Sequence, residues 1–266
     1  MKRLWGAFRA EWLRLATRRS AWLLPLGALF AGAYAYSLGA AAERGLFGAP
    51  TGYYLAAAGA NGAALTCAAV GALLAASAVG VDFASGVART ALCRPVGRGT
   101  WLLARLLVLA VGLNLVFLAA CGGALLAGQL RFGLGAVTEG SYVLASAGLL
   151  FLQLLAAVAS CFLGLAVAVA AGGVLGMLWG RPGPAVASTA VLGAGLLALG
   201  RWPALAAVLP TTFLTAGLDR VTQLSQGLAT LYATDVAPRA LGVFCVWLAL
   251  CLGLGLPLLQ RKDVTS

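Results

Sequence analysis

Long apolar stretches alternate with short polar breaks along the whole chain. A helix needs about 20 apolar residues to cross the hydrocarbon core of a bilayer, and six of the stretches are candidates for this. They lie at residues 21–42, 53–81, 102–128, 142–178, 185–200 and 238–259. The pattern therefore predicts an all-α fold, in which residues 1–266 form the single transmembrane domain of a polytopic integral membrane protein with six transmembrane helices.

Two apolar stretches do not fit a simple span. The stretch 142–178 is too long for one straight helix, so we expect a break near Gly172 and Gly173 or an interfacial piece at its start. The segment 204–217 is too short to cross the bilayer and contains a proline and three threonines. It is predicted to form an external re-entrant segment before the last span. The polar stretch from Asp219 to Asp235 is predicted to be external.

The residues before the first span, 2–19, are predicted to form a helix of their own. Trp5, Phe8 and Trp12 fall on one arc of a helical wheel, and the basic residues lie off that arc. Tryptophan prefers the level of the lipid headgroups, so the pattern predicts an amphipathic interfacial helix that contains these three residues and Glu11. The alternative is a basic tail that only orients the first span, but such a tail does not need aromatic residues in register.

Composition indicates the class of protein. The chain has 62% hydrophobic and 9% charged residues, and its mean hydropathy is +0.98. Ordinary soluble domains, which have about 25% charged residues, are excluded. The net charge of +11 does not indicate nucleic acid binding, because the basic residues lie at the ends of apolar spans and not on one solvated face. We expect membrane lipids, and no nucleic acid, as partners.

The distribution of charge predicts the orientation of the spans. With six spans, most of the 18 basic residues fall on the side that contains both termini. Loops rich in arginine and lysine stay in the cytoplasm. Both termini and the segment 82–101 are therefore predicted to be cytoplasmic.

Groups that perform catalysis are scarce. The chain has no histidine and no GxxxxGK[ST] phosphate-binding loop, and its seven acidic residues lie at or beyond the ends of the predicted spans. Membrane-embedded enzymes need a nucleophile or a metal together with a positioned base. We therefore predict no catalytic residue, no metal site and no enzymatic activity. The remaining classes are a passive conduit, a ligand-gated channel, a scaffold, or the membrane half of a machine that another subunit powers.

The polar residues in the middle of the predicted spans are neutral, and we interpret them as hydrogen-bonding groups between helices. They are Asn61, Thr66, Asn114, Gln153 and Ser160. The alternative is that Asn61 and Thr66 line a substrate path. The six cysteines include no CxxC pair, so we interpret them as small apolar packing residues and not as metal or redox sites.

A basic segment, from Asp82 to Arg105, separates the second and third predicted spans. Its sequence, DFASGVARTALCRPVGRGTWLLAR, contains four arginines and one acid. It resembles the segment between the second and third spans of bacterial ABC exporter permeases of the six-helix, ABCG-like (type V) class. That family has an acid, a Ser/Gly pair, a basic residue, a proline followed by an arginine, and a lysine or arginine that opens the third span. The matching positions here are Asp82, Ser85, Gly86, Arg89, Pro95, Arg98 and Arg105.

Other parts of the chain extend the resemblance. The stretch EWLRLATRRSAW is similar to the family's connecting helix, LPTTFLTAG to its external re-entrant helices, and QRKDV to its basic-acidic tail. The resemblance implies that residues 82–101 form a cytoplasmic coupling helix that seats in a separate ATP-binding subunit. The residues that it assigns to this contact are Asp82, Phe83, Ser85, Gly86, Arg89, Leu92, Pro95 and Arg98. The alternative for the arginines is pairing with lipid phosphates.

The resemblance also implies a function. It describes an exporter permease of the bacterial cytoplasmic (inner) membrane that moves a substrate, here a hydrophobic or amphipathic one. Two copies of an ATP-binding subunit hold ATP and Mg²⁺, so this chain needs no cofactor of its own. A second permease subunit completes a homodimer, in which the first, second and fifth spans face a central path. Two alternatives stay open: a membrane scaffold that transmits ATPase movement without moving a solute, and a basic membrane anchor that recruits anionic partners.

Overall fold

The computed structural model describes residues 2–16, 23–42, 51–88, 98–139, 141–228 and 231–261. Most of the described chain is helical, as the sequence predicts, and it also contains a two-stranded hairpin. The first helices are α1 (Lys2–Ala16), α2 (Leu23–Ala42), α3 (Gly52–Ala84) and α4 (Arg98–Phe132). The hairpin consists of β1 (Val137–Glu139) and β2 (Tyr142–Ala145). The later helices are α5 (Ala147–Trp179), α6 (Pro182–Leu199), α7 (Pro203–Ala206), α8 (Pro210–Leu224), α9 (Tyr232–Asp235) and α10 (Ala237–Arg261).

Five of the described helices, α3, α4, α5, α6 and α10, are long and apolar enough to cross a membrane. They indicate a multi-pass helical membrane protein, as the sequence predicts. Helices α3, α4 and α5 have 33, 35 and 33 residues. At about 1.5 Å per residue each is about 50 Å long, so these helices project beyond a hydrocarbon core of about 30 Å.

The helices extend somewhat beyond the apolar runs that predicted them. The predicted ranges 53–81, 102–128, 185–200 and 238–259 correspond to α3, α4, α6 and α10. The extra turns consist largely of polar and glycine residues at the ends of the spans, where the backbone can continue a helix outside the hydrocarbon. Helix α1 accounts for 2–16 of the predicted N-terminal helix, and residues 17–19, like 21 and 22 of the predicted first span, lie outside the described residues.

Helix α3 lies at the centre of the bundle. It contacts α2, α4, α5, α6 and α8. Its buried positions are mostly alanine and glycine. These small residues allow the backbones of neighbouring helices to approach closely, which is how helices associate in lipid. A displacement of α3 would therefore reach most of the bundle.

Helix α5 runs without interruption over its 33 residues. Of the two alternatives predicted for this long stretch, the break near Gly172 and Gly173 is therefore not observed. A Cβ atom on Gly172 would collide with the backbone of Ala72 on α3, and one on Gly173 would collide with the side chain of Leu106 on α4. The two glycines are used for close helix packing, and that packing holds the helix together where the sequence alone favours a break.

The predicted fourth span, 142–178, begins as a strand. Strands β1 and β2 pair in antiparallel fashion, with Glu139 opposite Tyr142. Helix α5 begins only after Ser146, whose hydroxyl accepts a hydrogen bond from Leu149 N at 3.3 Å. The tyrosine and valine of β2 favour a strand, and the serine is a good helix cap. The long stretch therefore begins with a short separate piece, which was the other predicted alternative, and this piece is a strand in an otherwise helical chain.

The predicted re-entrant segment, 204–217, is observed as two helices, the short α7 and the longer α8. Helix α8 continues about two turns past the predicted limit, to Leu224. Leu214, Leu218 and Val221 form a buried stripe along it, and the helix contacts α3 and α5. The predicted limit was wrong because the polar residues that follow residue 217 lie on the other side of the same amphipathic helix.

The two ends of the bundle are distinct. One end contains α1, the end of α3, the start of α4 and the turn between α5 and α6, and we call it the α1 end. At this end a Cβ atom on Gly80 would lie 3.0 Å from Pro182 Cα. At the opposite, hairpin end, Gly52 N donates a hydrogen bond to Gly133 O at 2.9 Å. The long helices from α3 to α6 therefore run in alternating directions.

Candidate functional site

An arginine within the apolar run of α4 has two acidic partners. Arg105 Nη1 lies 2.6 Å from Glu11 Oε2 on α1, and Arg105 Nη2 lies 3.1 Å from Asp82 Oδ2 on α3. The three side chains connect three helices at the α1 end of the bundle. We call this set the ion-pair joint.

The ion-pair joint is shielded from solvent. The side chains of Arg105, Asp82 and Glu11 are 5%, 4% and 16% exposed. Removing one member of a buried ion pair costs about 3–5 kcal/mol, because the other charge stays buried without its partner. The planar guanidinium group directs Nη1 and Nη2 to two different carboxylates, which the single nitrogen of a lysine cannot do in the same geometry. The joint thus fixes α1, α3 and α4 relative to one another.

An aromatic pair beside the joint also connects α3 and α4. The rings of Phe83 on α3 and Trp101 on α4 meet edge to face, with centroids 6.2 Å apart and planes at 85°. Such pairs contribute about 0.5–1.5 kcal/mol beyond the area that they bury. Phe83 follows Asp82 directly, and Trp101 lies about one turn before Arg105, so the polar and apolar contacts reinforce each other.

The chain leaves α3 through a tight turn at Ser85 and Gly86. Ser85 N and Ser85 Oγ both donate to Val81 O, at 2.8 and 2.7 Å, and close the last turn of the helix. Gly86 has φ of +73°, a left-handed conformation that glycine adopts without strain. Ser85 is exposed, so of the predicted contact residues it is available at the surface of the described chain.

Of the other residues predicted to contact an ATP-binding subunit, some lie outside the described chain and Asp82 is buried. Arg89, Leu92 and Pro95 lie outside the described residues, and Arg98 is the first residue of α4. Asp82 is only 3% exposed. Its position inside the joint fits an internal role in holding α3 and α4, and not direct contact with another subunit.

The aromatic row of α1 forms as predicted. Trp5 stacks on Phe8 with centroids 5.6 Å apart, and Phe8 stacks on Trp12 at 6.1 Å, both with planes at 14°. Glu11 was predicted only as a member of this interfacial helix. It instead extends away from the aromatic row to Arg105 and links α1 to the bundle.

A second polar contact lies between α3 and α8. Asn61 Nδ2 donates to Asp219 Oδ1 at 2.6 Å. Partial burial raises the pKa of the Asp219 carboxyl above its ordinary value, and hydrogen bonds from Thr215 and Asn61 oppose that rise. Thr66, the other residue predicted for a substrate path, is exposed and donates to Gly62 O within its own helix at 2.9 Å. The two side chains therefore do not meet in the described structure.

Gln153 and Ser160 on α5 hold the short helix α9, as predicted for hydrogen-bonding groups between helices. Gln153 Oε1 accepts hydrogen bonds from Tyr232 N and Ala233 N at 3.0 and 2.9 Å. Tyr232 Oη donates to Ser160 Oγ at 2.7 Å. These bonds satisfy two backbone donors at the start of α9 that would otherwise have no acceptor there.

Sequence reasoning did not find the ion-pair joint, although one signal for it was present. Arg105 lies inside the predicted span 102–128, and a charge within a span needs a partner. Asp82 and Glu11 are acids near the membrane boundary at the same predicted side, and so were candidates. The distance of Glu11 along the chain, 94 positions from Arg105, hides the contact from any local pattern.

Comparison with family models and curated sequences gives no relationship for this chain. No protein-family model matches it, and no curated protein sequence matches it significantly. The candidate site must therefore be interpreted from its own chemistry and from the pattern of the basic segment.

Proposed function

We propose that the chain is the membrane permease subunit of an ATP-binding cassette exporter of the six-helix, ABCG-like (type V) class. In this proposal two copies of a separate subunit bind ATP and Mg²⁺, and a homodimer of this chain moves a hydrophobic or amphipathic substrate across the bacterial cytoplasmic membrane. The α1 end faces the cytoplasm, because the charge distribution of the sequence places both termini there.

The ion-pair joint is the observation on which the proposal chiefly rests. Asp82 and Arg105 are the two ends of the basic segment, and their side chains are 3.1 Å apart. This ion pair therefore holds the two ends of the basic segment together. A force on this segment would act on α3 and α4 together, and through Glu11 on α1. This is the arrangement that a coupling segment driven by a soluble ATPase requires.

The position of α3 supports the same proposal. Helix α3, which leads into the basic segment, contacts α2, α4, α5, α6 and α8, so its movement would be distributed through the bundle. At the hairpin end Gly52 N bonds to Gly133 O, and nine residues further along the helix Asn61 connects it to α8. A helix that is tied at both ends and packed through small residues is suited to transmit a displacement across the membrane.

Six spans require that α2 also crosses the bilayer. This helix has 20 residues, which is about 30 Å, the thickness of the hydrocarbon core. It contacts α3 and α4, and a Cβ atom on Gly39 near its end would lie 3.1 Å from Leu55 Cδ1. Leu29 and Phe30 are 69% and 58% exposed, as expected of side chains that face lipid.

In the proposed mechanism the residues near the basic segment have two roles. Ser85, Arg89, Leu92, Pro95 and Arg98 would contact the ATP-binding subunit, together with Phe83 and Gly86. Asp82 and Arg105 would position that surface from inside the protein. Asn61 and Thr66 on α3 are the proposed polar residues of a substrate path.

Purification of the tagged chain from its own cells tests the proposal. An ATP-binding subunit should copurify, and Arg98→Glu should weaken that association. Asp82→Asn should leave the association intact but lower ATPase activity that depends on the permease. If no ATPase copurifies, the chain is better described as a basic membrane anchor. If the ATPase copurifies and responds to the variants but no solute ever stimulates it, the scaffold alternative is supported.

A further inference from the structure

Helix α1 has a surface that the proposed transport function does not use. Its sequence contains four basic residues, Lys2, Arg3, Arg9 and Arg14, and Glu11 as the single acid. Glu11 is turned to Arg105, 2.6 Å away, and is largely buried. All other charges on the helix are positive.

Helix α1 exposes Trp5 and Leu13, and tryptophan is a residue that prefers a bilayer interface. Trp5 is 67% exposed and begins the stacked row with Phe8 and Trp12. On a helix with 3.6 residues per turn, Arg9 lies about 40° beyond Trp5, on the side away from Glu11. The aromatic row is thus flanked on one side by the contact with α4 and on the other by an exposed arginine.

The depth of α1 fits the lipid headgroups. Helix α4 has 35 residues and is about 52 Å long, so when it is centred in a core of about 30 Å each end projects by about 10 Å. Arg105 lies seven residues into α4, which is again about 10 Å from its start. The contact with Glu11 therefore places α1 at the boundary between hydrocarbon and headgroups.

We infer that α1 is a docking surface for anionic phospholipid, with the aromatic row in the interface and Arg9 on lipid phosphates. Withdrawal of Glu11 into the ion-pair joint removes the one negative charge of the helix from this surface. Each basic residue near an anionic bilayer strengthens association roughly fivefold. Because α1 is tied to α3 and α4 by Arg105, lipid bound there would stabilise the junction at the base of the basic segment. The inference does not depend on the direction in which the bundle spans the membrane.

Amide hydrogen exchange of the full chain in lipid nanodiscs tests this inference. One set of discs contains phosphatidylcholine alone, and the other an equal mixture with phosphatidylglycerol. Amides of residues 2–16 should exchange several-fold more slowly in the anionic discs, and high salt should remove most of the difference. Arg9→Glu should remove at least fivefold of that protection, whereas Arg9→Lys should retain it. Exchange in α5 serves as the measure of correct folding for each variant.

Arg201→Glu is the matched control, because Arg201 is exposed just after α6 at the hairpin end. It should leave α1 exchange unchanged. Equal exchange of α1 in both kinds of disc, or an equal loss with Arg201→Glu, would overturn the inference. So would full protection by inorganic phosphate in phosphatidylcholine discs, since the ligand would then be a free anion. No ATPase is present in these experiments, so their failure would leave the proposed transport function untouched.

Discussion

Arg105 on α4 and Asp82 on α3 form a buried ion pair, with 3.1 Å between Nη2 and Oδ2. The two residues bound the basic segment, and the same guanidinium group also binds Glu11 of α1. One side chain thus determines how three helices meet. The following predictions test this contact and the packing around it.

Replacement of Arg105 should destabilise the protein strongly. Arg105→Met leaves two carboxylates buried without their cation, which should cost about 3–5 kcal/mol, whereas Arg105→Lys keeps the charge and should cost less. Thermal unfolding in detergent or nanodiscs measures the difference. Arg201→Met, at an exposed position, should change stability by no more than about 0.5 kcal/mol. Equal effects at the two positions would show that the joint is not structurally important.

Close packing of α5 on α3 should be sensitive to a single methyl group. A Cβ atom on Gly176 would lie 2.7 Å from Ala76 O, so Gly176→Ala should destabilise the protein by about 1–3 kcal/mol. The control is Gly193→Ala on α6, where no atom lies within 4 Å of the new Cβ. That change should be neutral or stabilise by up to about 1 kcal/mol. A neutral result at Gly176 would contradict the close approach of the two helices.

The hydrogen bonds that hold α9 should differ in strength. Tyr232→Phe removes one buried hydrogen bond to Ser160 and should cost about 1 kcal/mol. Gln153→Ala should cost more, about 2–4 kcal/mol, because Tyr232 N and Ala233 N both lose their acceptor. Urea or thermal unfolding measures the loss of stability in each variant. A larger loss for Tyr232→Phe than for Gln153→Ala would contradict the observed hydrogen bonds.

Asp219 should give stability a specific dependence on pH. Its pKa is raised in the folded protein, chiefly by burial, so the folded state binds the proton more tightly than the unfolded state does. This contribution is present below the ordinary pKa of 3.8 and is lost as pH rises through the raised pKa. Stability of the wild type relative to Asp219→Asn should therefore fall as pH increases across this window.

The matched variant for Asp219 is Asn61→Ala. It removes a hydrogen bond that lowers the pKa of Asp219 in the folded protein, so the upper limit of this pH window should move to higher pH. Stability curves recorded over acidic and neutral pH for the three proteins measure both effects. If the upper pH limit at which this stability is lost does not change, Asn61 has no influence on the pKa of Asp219.

The sequence alone determined the features that depend on local pattern. Apolar length placed α3, α4, α6 and α10 within a few residues of their ends, because crossing a bilayer imposes a minimum length on any helix. Helical periodicity correctly placed Trp5, Phe8 and Trp12 in one row.

Only the tertiary structure decided which residues far apart in the sequence contact one another. The local sequence does not show that the helix continues through Gly172 and Gly173. It continues because the backbone of α3 and a side chain of α4 pack closely against these two glycines. Asn61 meets Asp219 across 158 positions, and Glu11 meets Arg105 across 94. Pairings at such separation depend on the order in which helices pack, which an apolar pattern does not specify. For this reason the sequence predicted the basic segment, and only the folded bundle revealed the ion-pair joint at its base.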